Sequence, residues 1–119
     1  MEERSFWISA AAAYLDECRM RASSARASEL ALRTSRTPVQ LAREFRAAVG
    51  VGVKDYLRRQ QVDLAKELLR RPEITTARIA EEAGFGTVRT FYRVFREVTG
   101  ISPTDYRKKL SLAGTEGRN

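Results

Sequence analysis

Residues 79 to 107 read Ile79-Ala80-Glu81-Glu82-Ala83-Gly84-Phe85-Gly86-Thr87-Val88-Arg89-Thr90-Phe91-Tyr92-Arg93-Val94-Phe95-Arg96-Glu97-Val98-Thr99-Gly100-Ile101-Ser102-Pro103-Thr104-Asp105-Tyr106-Arg107, and the punctuation of this run decides the fold. Gly84-Phe85-Gly86 cuts one apolar segment, Gly100 ends a second, and Ser102-Pro103 opens a third. Phe91, Val94, Phe95 and Val98 recur at i, i+3, i+4 and i+7, which places them on one helical face turned to a core. Ser102 is positioned as a cap, and Pro103 has no N–H to lose in a first turn. Asp105 sits where a carboxylate can reach back to the cap amide. Gly84 is expected at a positive φ, with Phe85 as an inward anchor. The run reads helix, tight turn, helix, stop, helix.

The same device occurs again 50 residues upstream. Leu41 matches Phe91, Arg43 matches Arg93, Phe45 matches Phe95, and Arg46 matches Arg96. Gly50 matches Gly100, and Asp55-Tyr56 matches Asp105-Tyr106. Leu30-Ala31 corresponds to Ile79-Ala80 after a one-residue slip in the turn. An ordered set with the same chemistry at each place is an internal repeat. A short helix, a turn and a following amphipathic helix form a helix-turn-helix, whose second helix enters the major groove of DNA.

Working outward, no segment alternates as a strand does, and Gly and Pro stand at boundaries. The periodicity predicts an all-α fold of about seven helices. A first helix runs from about Ser5 to Arg21 with Ile8, Ala11, Leu15 and Cys18 inward. Short helices follow at about Arg26 to Arg33 and Thr76 to Ala83. The helix capped by Thr37 turns Leu41, Phe45 and Val49 inward. A long helix from about Val53 to Arg70, carrying Tyr56, Leu57, Leu64, Leu68 and Leu69, joins the two units. The expected organisation is a first helix-turn-helix subdomain over 1–52, a linker helix over 53–71, a second subdomain over 72–112, and a disordered tail over 113–119. A linker of about 18 residues spans about 27 Å at 1.5 Å per residue, compatible with grooves about 34 Å apart.

The reading face follows from what is left on the second helix of each unit. In the second unit Arg89, Tyr92, Arg93 and Arg96 lie opposite the apolar stripe. Arginine can bind guanine O6 and N7 in bidentate fashion, and Val88 can meet a thymine methyl. In the first unit the outward face carries Val39, Gln40, Ala42, Arg43 and Arg46. Only Arg43 there has the chemistry of a strong base reader, so this half is expected to depend more on phosphates or DNA shape. Thr37 and Thr87 cap the reading helices or meet phosphate at their N-termini. A basic stripe also arises as a mere solvated face; the repeat is what singles these two out.

Composition agrees and excludes most alternatives. The 119 residues carry 22 Lys+Arg against 15 Asp+Glu, a formal charge of +7 that attracts polyanions. The excess is local. Arg26 to Arg46 holds five Arg against two Glu, and Phe85 to Leu110 six basic against two acidic residues, whereas residues 1–20 hold two basic against four acidic. With no His and one Cys, Cys18, the chain lacks the ligands of a zinc site and the base of a Ser-His-Asp or Cys-His apparatus. No cofactor, metal or enzymatic activity is expected. The apolar start, Phe6 to Leu15, is too short for a membrane span, so a cytoplasmic protein with no membrane partner is expected.

On these residues the chain resembles the AraC/XylS family of bacterial transcription regulators. The resemblance rests on Ile79 to Phe85, Phe91 to Phe95 and Gly100 to Arg107. It implies seven helices, two helix-turn-helix subdomains joined by a linker helix, and binding to asymmetric promoter sites. By residue matching it implies base contacts from Val39, Ala42 and Arg43, and from Val88, Arg89, Tyr92 and Arg93. It departs from the family at Gln61, where members usually carry Arg, and at Thr76, usually apolar. With no effector-binding domain of its own, the chain resembles the small stand-alone members or a DNA-binding fragment. The function expected is sequence-specific duplex binding that regulates transcription, by a monomer, with RNA polymerase as protein partner. The alternative is a helical interaction module whose basic faces bind an acidic partner such as a polymerase subunit.

Overall fold

The structure is a computed structural model that describes residues 2–21 and 23–116. Among the described residues there are seven α-helices and no strand: α1 Glu2–Arg21, α2 Ala27–Arg33, α3 Pro38–Val49, α4 Val53–Leu69, α5 Thr76–Glu82, α6 Val88–Thr99 and α7 Pro103–Glu116. The fold class and helix order are those expected.

The repeat survives in three dimensions. α3 and α6 each run for 12 residues and end on a left-handed glycine, Gly50 at φ 93° and Gly100 at φ 86°. The glycine N–H closes on Arg46 O at 2.9 Å in one unit and on Arg96 O at 2.8 Å in the other. Phe45 meets Tyr56 edge-on at 5.3 Å, and Phe95 meets Tyr106 in the same way at 5.5 Å. Matched aromatic pairs of this geometry add about 0.5–1.5 kcal/mol beyond burial. Gly84 has the expected positive φ, 82°, and Phe85 is buried.

There are two cores. Trp7, Ala11, Tyr14, Cys18, Leu30, Ala31, Leu41, Phe45, Val53 and Leu57 form the first. Val62, Ala65, Leu69, Ile74, Ile79, Ala80, Ala83, Phe85, Phe91, Val94 and Phe95 form the second. α4 therefore does more than space the units: its first half packs in one core and its second half in the other. Gln61, the one buried polar side chain among the described residues, sits at the changeover.

Three expectations are corrected. In α1 the core side chains are Trp7 and Tyr14 beside Ala11 and Cys18, while Ile8 and Leu15 are half-buried. The stripe at 7, 11, 14 and 18 still has helical spacing, but it is rotated to seat the two large aromatics. Val98 is 40% exposed, because the end of α6 runs past the second core to a charged cleft lined by Asp55, Arg58, Arg59, Asp63 and Glu97. The chain from 113 to 116 is helical, since α7, once started at its Ser102 cap, propagates at little cost per added residue. The rest of the expected tail, 117–119, lies outside the described residues.

Candidate nucleic-acid interface

Both nominated helices start at a working cap. Thr37 Oγ1 accepts from Gln40 N at 3.2 Å, and Gln40 Oε1 accepts from Thr37 N at 2.9 Å, a full capping box. Gln40 thus commits its amide oxygen to the helix and keeps only its NH2 for another partner. Thr87 Oγ1 accepts from Thr90 N at 3.1 Å and contacts Thr90 Oγ1 at 3.1 Å. Capping replaces an orphan backbone bond and is worth about 1 kcal/mol.

The remaining candidates are placed as follows. In α3, Val39 is 74% exposed, and Ala42, Arg43 and Arg46 are exposed. In α6, Val88, Arg89, Arg93 and Arg96 are exposed. None of the nominated arginines is packed inside. Among the described residues, Arg43, Arg46, Arg89 and Arg96 make no side-chain hydrogen bond or ion pair, so their guanidinium groups are open to an anion. Tyr92 differs from the rest. It is half-buried, its ring stands edge-on to Phe91 at 5.8 Å, and its hydroxyl is 2.7 Å from Thr104 Oγ1. It ties α6 to α7 and offers only its outer edge.

Arg93 is not free. Its Nη1 lies 3.6 Å from Glu97 Oε1, and the other Glu97 oxygen lies 3.3 Å from Arg58 Nη1. One carboxylate therefore holds Arg93 against the linker helix. The position matching Glu97 in the first unit is Ala47, so Arg43 has no such tether.

Several supporting side chains were invisible in the sequence. Arg36 stacks over Trp7 at 4.9 Å and donates to Thr34 O at 2.6 Å. Arg107 donates to Leu69 O at 3.1 Å, satisfying an open carbonyl at the end of α4, and to Arg71 O just beyond it at 3.0 Å. Tyr14 accepts from Arg26 N at 2.6 Å, and burial pushes its phenol above the usual range. Three donors from outside the second unit, Arg19, Ser24 and Gln61, bind carbonyls in the second turn. These partners are 36 to 63 residues apart for Arg107, Arg19 and Ser24, beyond any local pattern. Among the described residues no cluster of His, Cys, Asp or Glu could hold a metal ion, and no helix is long and apolar enough to cross a membrane.

Two amphipathic helices, each second in a helix-turn-helix and each bearing open arginines, define a protein of the helix-turn-helix class. A helix-turn-helix family model matches residues 30–109. The chain is 39% identical over 72 residues to an AraC-like transcription regulator of Streptomyces lividans, covering 60% of this chain and 24% of that protein. It is 38% identical over 86 residues to an HTH-type transcriptional regulator of Mycobacterium tuberculosis, covering 72% of this chain and 33% of that protein. The DNA-binding domain of the global transcriptional factor AdpA, solved with a target DNA, superposes with a TM-score of 0.72 at 24% identity over 86% of this chain and 89% of that one, a likeness of fold. The chain belongs to the AraC-type helix-turn-helix family, a family of transcription regulators. It matches 24% to 33% of the length of these curated relatives.

Proposed function

We propose that this chain binds double-stranded DNA sequence-specifically, with α3 and α6 in successive major grooves, and so regulates transcription. The observation that carries the reading is the duplicated pair of helices, each capped by threonine, ended by a left-handed glycine and presenting open arginines on its exposed side. The molecule is 51 Å along its longest axis, enough to reach two grooves one helical turn, about 34 Å, apart. Arg89, Arg93 and Val88 are the base readers of the second unit, and Arg96 serves phosphate. In the first unit Arg43 reads, Val39 and Ala42 offer apolar contact to thymine methyls, and Arg46 and the free amide of Gln40 bind backbone. RNA polymerase is the protein partner that such a regulator would recruit or position.

Selection from random duplexes, followed by binding at two salt concentrations, tests this. The expected result is one preferred sequence with two conserved blocks about a turn apart, and an affinity that falls steeply with salt. Equal affinity for selected and random duplexes would overturn it.

A further inference from the structure

The first unit and the linker helix together hold the turn of the second unit by its backbone. Arg19 Nε in α1 donates to Glu82 O at 2.9 Å, Gln61 Nε2 in α4 donates to Gly84 O at 2.7 Å, and Ser24 Oγ, between α1 and α2, donates to Phe85 O at 2.8 Å. Three donors from separate segments thus converge on three carbonyls within four residues. The close approach requires glycine on the receiving side. A Cβ on Gly86 would overlap Ser24 Oγ, and one on Gly84 would come within 3.3 Å of Gln61 Nε2 and 3.6 Å of Cys18 Cβ.

This turn leads straight into Thr87, the cap of α6. Whatever fixes Glu82 to Gly86 therefore fixes where α6 begins and which way it points. The three donors belong to neither apolar core, so losing them leaves each core intact and α4 as the main tie between the two units, free to bend. Gln61 is 7% exposed, and an unpaired amide there would be costly, so its bond to Gly84 is made in the folded state.

We propose that Arg19, Ser24 and Gln61 are positioning residues that lock the two reading helices at one separation and angle, and so set the half-site spacing the protein accepts. The inference rests on the two-groove reading above. One added base pair moves a half-site along the axis and rotates it around the duplex, so a rigid protein loses its second set of contacts while a hinged one follows.

Two variants test it: Ser24→Ala with Gln61→Met, and Ser24→Ala with Arg19→Ala, which spares the buried amide and covers the case in which the first fails to fold. Binding is measured to the selected site with no, one or two base pairs inserted between its halves. Wild type is expected to lose about tenfold or more on one insertion, and a folded variant about threefold or less. Residual dipolar couplings without DNA provide a second readout. Wild type should fit one alignment tensor across both units, and a variant should need two. Steep spacing dependence and a single tensor in a folded variant would overturn the inference. If wild type itself ignores the insertions, the two-groove reading fails, and the couplings alone decide whether the clasp is rigid.

Discussion

Ser35 and Gly84 occupy the same place in the two turns, and both are left-handed, at φ 58° and 82°. Each is followed by an N–H that closes back over the helix before it, Arg36 N to Ala31 O at 2.8 Å and Phe85 N to Ala80 O at 2.9 Å. This is the Schellman arrangement, in which glycine is the usual occupant. The first unit uses serine there and carries the strain of a side chain in that conformation.

Ser35→Gly should therefore stabilise the protein. Relief of the left-handed strain is worth about 1–2 kcal/mol, and the added freedom of glycine in the unfolded chain offsets about half of it. A gain of about 0.5–1 kcal/mol in urea unfolding is expected. The reverse change, Gly84→Ala, should destabilise by more than that, because its Cβ would also crowd Gln61.

Arg93→Ala should weaken binding to the selected site by about 1–3 kcal/mol and relax the preference at one base pair. Arg46→Ala, a backbone contact, should lower affinity for all duplexes more evenly, and Arg4→Ala should have little effect. Equal losses for Arg93→Ala and Arg4→Ala in a gel-shift titration would refute the site assignment.

Glu97→Gln removes the carboxylate that draws Arg93 and Arg58 together. All three side chains are about half exposed, so the pairs contribute only about 0.2–1 kcal/mol. The variant should bind all duplexes more tightly at low salt, by a few-fold at most, with the gap closing as salt rises. Its ratio of specific to random binding should fall, because Arg93 is no longer oriented. An unchanged ratio would show that the tether plays no part in selection.

Tyr14 makes stability depend on alkaline pH. Burial raises its phenol in the folded state above the unfolded value of about 10. A raised folded value means that the stabilisation is complete below about pH 10 and is lost as pH rises above it. Wild type should lose stability from pH 10 upward more steeply than Tyr14→Phe, measured by denaturant midpoints. Parallel curves would contradict this.

The parts of the fold that were legible in the sequence are those written in local chemistry. Gly50 and Gly100, Thr37 and Thr87, and the Ser102-Pro103 start mark boundaries that the helices follow closely. The apolar stripe of α6 placed Phe91, Val94 and Phe95 in the core, and failed only at Val98, where the core ends before the helix does. α1 misled because nearly every position from Phe6 to Leu15 is apolar, so spacing alone could not say which side faces in. The arginine faces were legible because the repeat supplied an independent register. The Arg58 contact that draws Glu97 to the linker helix and the donors onto the second turn were not, since a contact to a group many residues away leaves no periodic trace.

The division of α4 between the two cores has a consequence for how the protein comes apart. Val53 and Leu57 belong to one core, and Val62, Ala65 and Leu69 to the other, on a single unbroken helix. Cutting the chain on either side of that helix would strand one set of these side chains in water. Neither half is then a free-standing module, and heating should melt both in one cooperative step.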